Sequence, residues 1–420
     1  MKRYLIPVMA LLLVVAGTIT ARADWVKNGE DYYYYNGDQL VTNQIVDDEY
    51  YVGSDGKMAV NVWVMLQDGE NSYYCYFGSN GKMLKDKWAN INDKTYHFND
   101  EGHMETGWIL DNMYFCHLDD GHMLTGWQRL EDPTDSERKS GPVDDSNIHW
   151  YYFSGSGKKY CAGEDEDFAE RRVDGKRYCF DQMGALQIGW VKVYDGYDEN
   201  IGNYKYYKQD GSDLTGWCSL NPPDELAGHY AYDVMWFYFS STGVPYYDED
   251  GIPTISDIKR ISVKNGSTKK RYYFNEWGTP VWGLCKLYTD EYGSDYETYF
   301  FGEFKDSCIQ TGKFKLYDGN DTPDEFYFST SGVGYTGVHK NTLYFKGKIQ
   351  KAEKDMRYEV ITVDDLNYLV NSSGQIVKNK TVKDGMDVKW TTNSYGIAYL
   401  RDGVRYDGPG RDPEPPSFNG

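Results

Sequence analysis

The side chains with the most to offer chemically in this 420-residue chain are its tryptophans, and they recur in register. Trp88, Trp108 and Trp127 follow one another at about twenty-residue intervals, the last two each preceded by Thr-Gly. An indole face attracts a cation that has no hydrogen bond to donate, and it does so best where water is scarce. The same face also stacks on a sugar ring. Both are binding chemistries. Four of the seven histidines, His97, His103, His117 and His122, fall close together, and His103 and His122 each stand between Gly and Met. A metal centre needs three or four convergent ligands with outer support. Two histidines on turns among acidic neighbours read as surface, so neither a metal nor a cofactor is assigned. Carboxylates are plentiful, but no pair stands out as a glycosidase acid and base. Gly-x-Ser-x-Gly, His-Glu-x-x-His and the phosphate loop are all missing from the sequence. No catalytic residue is assigned, and the chain is read as a non-enzyme.

The elements that must carry the tryptophans are short strands. Trp88 to Gly107 and Trp108 to Gly126 state one template: a Trp, a polar turn, an aromatic run, polar residues, Gly-x-Met, then Thr-Gly and the next Trp. Self-similarity at this period means stacked units, each too small to fold alone. Runs such as Tyr73–Phe77, Tyr96–Phe98, Trp150–Phe153 and Tyr272–Phe274 are strand-like, bounded by Gly, Asn and Asp. The spacing therefore predicts an all-β, elongated solenoid of β-hairpins built from roughly twenty-residue repeats. The polar stretches 131–142 and 221–225 read as enlarged hairpin tips, where growth is tolerated. Repetition is cleanest over 63–127 and decays after about 285. One continuous array is expected over 24–407.

The ends bound the rest. Lys2 and Arg3, the apolar run Leu5–Ala16 and Ala21-Arg-Ala23 have the order of a secretory signal, so 1–23 is read as a signal peptide. The apolar run is short for a membrane span, and no span is expected after cleavage. Residues 408–420 are rich in Pro and Gly and read as a disordered tail. The formal charge is −21, and loss of Lys2, Arg3 and Arg22 takes it to −24. Such a chain is a poor ligand for nucleic acid. Its seven cysteines are scattered and form no Cys-x-x-Cys pair. Cys75, Cys116 and Cys179 stand inside aromatic runs, which marks them as apolar filler.

Thr106-Gly-Trp108, Thr125-Gly-Trp127 and Thr215-Gly-Trp217, with Trp150-Tyr-Tyr-Phe153 and Gly121-His-Met123, resemble the choline-binding or cell-wall-binding repeat. Similar repeats occur in glucan-binding domains and clostridial toxin arrays. The resemblance implies a ligand held between consecutive hairpins by a Trp after Thr-Gly, an aromatic of the second strand and the next Trp. Carried over, it gives three full sets: Trp63/Tyr74/Trp88, Trp108/Tyr114/Trp127 and Trp190/Tyr204/Trp217. Trp127/Trp150 and Trp217/Trp236 lack a third wall, because Cys161-Ala-Gly-Glu and Tyr246-Tyr-Asp-Glu stand where Thr-Gly-Trp belongs. The implied protein is secreted, associated with a bacterial surface and noncatalytic. Its partner would be a cell-wall teichoic acid or polysaccharide, choline-decorated or glucan-like. A host-glycan-binding adhesin or toxin-like lectin is the alternative, and an enzyme with a cryptic C-terminal site is another.

Overall fold

A computed structural model describes residues 23–133, 147–194, 200–263, 268–319 and 322–418. The segment read as a signal peptide lies outside the described residues but for its last residue. Among the described residues no helix is long and apolar enough to cross a membrane.

The described residues form a succession of antiparallel hairpins with three short 3-10 turns among them, so the expected all-β hairpin repeats are present. It divides into two compact units, residues 1–189 with 209–212, and residues 190–208 with 213–420.

In the first unit the repeat is regular. Val62–Asp68 pairs with Asn71–Phe77, Lys87–Ile91 with Lys94–Phe98, Gly107–Ile109 with Tyr114–Cys116, and Gly126–Glu131 with Ile148–Phe153. Two strands alone are unstable in water, and the Gly-x-Met segment supplies the tie to the neighbour. The Met83, Met104 and Met123 amides donate to the carbonyls of Glu49, Tyr74 and Thr95, each on the preceding hairpin, at 2.7–2.8 Å. The glycine of one repeat then sits on the methionine of the repeat before. A Cβ on Gly121 would lie 2.4 Å from the Met104 sulfur, and one on Gly157 2.1 Å from that of Met123. Both glycines hold positive φ, at 72° and 78°, so a side chain there would strain the backbone and displace the methionine beneath it.

The second unit keeps the hairpins and changes the filler. Leu284–Tyr288 pairs with Tyr296–Phe300, Gly312–Leu316 with Asp324–Phe328, and Tyr358–Val363 with Leu366–Asn371. Ile309, Ile349 and Ile376 now lie under Gly332, Gly374 and Gly396. The repeat that fades after about 285 has exchanged a flexible Met for a branched residue at the same contact.

Two segments carry more contacts than their composition suggests. The stretch after Asn221 is more than a solvated tip. It winds into a 3-10 turn, Asp224–His229, whose Leu226 is fully buried beside Ile201, Phe237 and Phe239. The tail read as disordered carries, over 408–418, its own set of bonds. The Gly410 amide donates to Thr362 Oγ1, Arg411 pairs with Glu359, and Gln350 brackets Glu414 through both its amide atoms. A Pro-rich strand has few donors of its own to satisfy, so side chains of the hairpins it crosses can hold it.

All seven cysteines are free thiols. Burial pushes Cys75, Cys116 and Cys285 up to about 12, where almost no thiolate forms near neutrality. Maleimide labelling of the native chain should therefore modify the half-buried Cys161 and Cys218 first, as read by peptide mass mapping. Equal labelling of Cys75 would contradict this packing.

Candidate aromatic binding site

Antiparallel register decides which ring each tryptophan meets. Trp63 stands opposite Tyr76, while Tyr74 is two residues away, opposite Met65. Trp63 accordingly packs on Tyr76 at 5.2 Å, and across to the next hairpin on Tyr96 at 4.9 Å and Phe98 at 5.6 Å. The same wedge repeats. Trp108 meets Phe115, Tyr151 and Phe153; Trp127 meets Tyr152, Tyr178 and Phe180; Trp190 meets Tyr206, Phe237 and Phe239. The indole N–H of Trp108 donates to the Glu131 carbonyl at 3.0 Å, and that of Trp190 to the Asn221 carbonyl at 2.7 Å. These tryptophans join hairpin to hairpin with an edge and keep part of a face at the surface.

Within the nominated set, direct ring contact is made by Trp88 with Tyr114 at 5.2 Å and by Trp217 with Trp236 at 6.4 Å. Tyr204 is only 4% exposed, in the cluster of Ile201, Leu226 and Phe237, which fits core packing. Trp150 and Trp236 are the opposite case, at 48% and 37% exposed, and present their rings to solvent.

Lys159 shows what such a face can hold. It occupies the methionine position of its repeat, two residues after Gly157, and its aliphatic stem lies under Gly184 as Met123 lies under Gly157. The ammonium at the end of that stem sits 5.0 Å from the Trp108 ring and 6.0 Å from that of Tyr151. The residue is 6% exposed, and burial lowers its pKa. A cation is held against aromatic faces here by the chain itself.

The most complete site lies in the second unit. Trp217 and Trp236, on the hairpin of Gly216–Leu220 and Met235–Phe239, stand at 77° to one another and form two walls. The third wall missing from the sequence reading comes from elsewhere: Tyr272, 4.9 Å from Trp217, and Phe304. Phe304 rides on the tight turn 303–307, closed by the Asp306 and Ser307 amides on the Glu303 carbonyl, and is braced by Trp282 and Tyr232, each at 5.0 Å. Pro280, Lys305, Asp306 and Ser307 complete the rim of a cavity of about 140 Å³. That is small beside a drug-sized pocket. It suits one group of a larger ligand, either an onium head that the rings and Asp306 attract or one face of a sugar. Tyr272 belongs to a visible aromatic run; Phe304 lies in a loop with no repeat signature, so nothing in the sequence pointed to it.

No protein-family model matches the chain, and no curated protein does. Among solved structures it is similar to the modular autolysin LytC from Streptococcus pneumoniae in complex with a synthetic peptidoglycan ligand. Identity there is 21% and the TM-score 0.36, over 63% of this chain and 49% of that one. The chain thus spans about half the length of LytC. It is also similar to CbpJ from Streptococcus pneumoniae, at 19% identity and TM-score 0.36, over 80% of this chain and 99% of CbpJ. Choline binding protein F of the same organism gives 18% identity and TM-score 0.33, over 79% of this chain and 99% of that one.

Proposed function

We propose that the protein is a noncatalytic, secreted member of the choline-binding or cell-wall-binding repeat family. It attaches to a cell-wall teichoic acid or polysaccharide, choline-decorated or glucan-like, through aromatic sites spread along its hairpins. The observation that carries this reading is the cavity of Trp217, Trp236, Tyr272 and Phe304 with Asp306 at its rim. Rings on three sides and a carboxylate are what a quaternary ammonium needs, since it has no hydrogen bond to donate. Each such contact is weak, and several engaged on one polymer raise retention by avidity.

The test is retention of the full chain on purified cell walls, eluted in parallel with choline and with soluble glucan. Release by choline identifies an onium ligand; release by glucan alone identifies sugar stacking. Binding to host-cell glycans in place of the walls would transfer the protein to the adhesin class, and no retention on either would end the binding reading.

A further inference from the structure

In a chain of net charge −21, one hairpin of the second unit is strongly basic. Its strands are Lys259–Ser262, reading Lys-Arg-Ile-Ser, and Lys269–Tyr272, reading Lys-Lys-Arg-Tyr. The register sets Arg260 directly opposite Arg271. Like charges facing each other across a strand pair repel and cost stability. Among the described residues no carboxylate lies within 4.0 Å of Arg260, Lys269, Lys270 or Arg271. Their nearest acidic neighbour along the lining loop is Asp306, which belongs to the rim of the aromatic cavity. An anion bound beside them would offset this repulsion.

These four cations line an open depression of about 460 Å³ with Cys308, Ile309, Gln310 and Thr330. The depression is built, and does not depend on side chains alone. The Ile309 amide donates to the Arg271 carbonyl at 2.9 Å and lays the loop along the strand. Gln310 is turned by its amide bond to the Cys308 carbonyl, also at 2.9 Å. The Arg271 guanidinium passes over Gly332, where a Cβ would meet its Nη2 at 3.0 Å. The loop that walls this depression with 308–310 walls the aromatic cavity with 304–307, and Arg271 adjoins Tyr272 in one strand.

We propose that this depression is an anion subsite for the phosphodiester groups of a polymer. Facing guanidiniums match the several oxygens of a phosphate in forked geometry, and Thr330 adds a hydroxyl. Four cations in a shallow, open strip suit a chain of phosphates better than one small anion. The acidic remainder of the protein confines the attraction to this strip. The inference rests on the polymer-binding reading and narrows it.

The experiment measures binding of poly(glycerol phosphate) to the full chain, with inorganic phosphate and polygalacturonate as comparison probes, at low and at physiological salt. The poly(glycerol phosphate) affinity is expected to fall by about tenfold or more in Arg260→Gln/Arg271→Gln. It should also fall in Lys269→Gln/Lys270→Gln, whose exposed side chains do not hold the fold, and with added salt. Undiminished binding in both double variants overturns the proposal. So does equal affinity for polygalacturonate, or inorganic phosphate that binds as tightly as the polymer. The aromatic reading keeps a separate readout in choline or glucan elution from walls. Loss of that readout with poly(glycerol phosphate) binding intact sinks the first reading alone, and the reverse sinks this one alone.

Discussion

Trp236→Ala is expected to weaken retention on the target polymer on the order of tenfold or more while leaving folding almost untouched. Its indole is 37% exposed and stands opposite Ser219, so its removal opens no interior space. What goes is one wall of the aromatic cavity. A desolvated cation–π contact is worth about 2 kcal/mol, and loss of one engaged site among several compounds through avidity. Trp217→Ala is the informative contrast. Trp217 contacts Tyr238 at 5.2 Å, Tyr272 at 4.9 Å and Phe274 at 5.8 Å, and packs against the cluster of Ile261, Tyr272, Phe274 and Cys308. Its truncation should cost about 3–5 kcal/mol as well as binding. Urea unfolding and wall retention of the two variants separate the roles. A Trp236→Ala chain that binds like the parent would leave that ring without a ligand.

Lys348→Ala should be among the most destabilising single changes in the second unit. The ammonium is 2% exposed and lies between Asp318, fully buried at 2.6 Å, and Glu414 of the tail. Removing one partner of a buried pair strands the other, at about 3–5 kcal/mol. Lys348→Met with Asp318→Asn removes both charges and should recover much of that loss. Denaturation midpoints check both. A cost under about 1 kcal/mol would mean that the pair does not hold the tail. The pH dependence follows from the same geometry. Burial alone would lower the Lys348 pKa, and the hydrogen bonds to Asp318 and Glu414 outweigh it, so the net shift is upward. A raised ammonium contributes fully below its ordinary value of 10.5 and loses that contribution only as pH rises through the higher folded value.

Where a signal was local and repeated, the sequence was readable. Thr-Gly-Trp, the aromatic run and Gly-x-Met define each hairpin by residues within about twenty positions, and strand chemistry follows directly. The aromatic cavity was only half legible. Trp217 and Trp236 announce themselves, but Phe304 arrives from a turn some seventy residues on, and only tertiary packing brings it there. The resemblance named Tyr74 as a wall between the hairpins of Trp63 and Trp88, and it did not say which ring Trp63 itself packs on. The antiparallel register sets Tyr76 opposite Trp63. The contacts of the tail were hidden for a related reason. Pro and Gly describe what 408–418 lacks in itself, whereas its bonds are made with Gln350, Glu359 and Thr362, far away in the sequence.

Lys159 has a consequence for how such an array varies from copy to copy. Lysine fits the channel beneath Gly184 as methionine fits the one beneath Gly157, and it lays its own ammonium against the face of Trp108. The residue at this position therefore sets what the Trp108 ring meets. If the array binds as proposed, a lysine at the methionine position fills an aromatic face from within, and a copy that departs from the template still keeps its place in the scaffold.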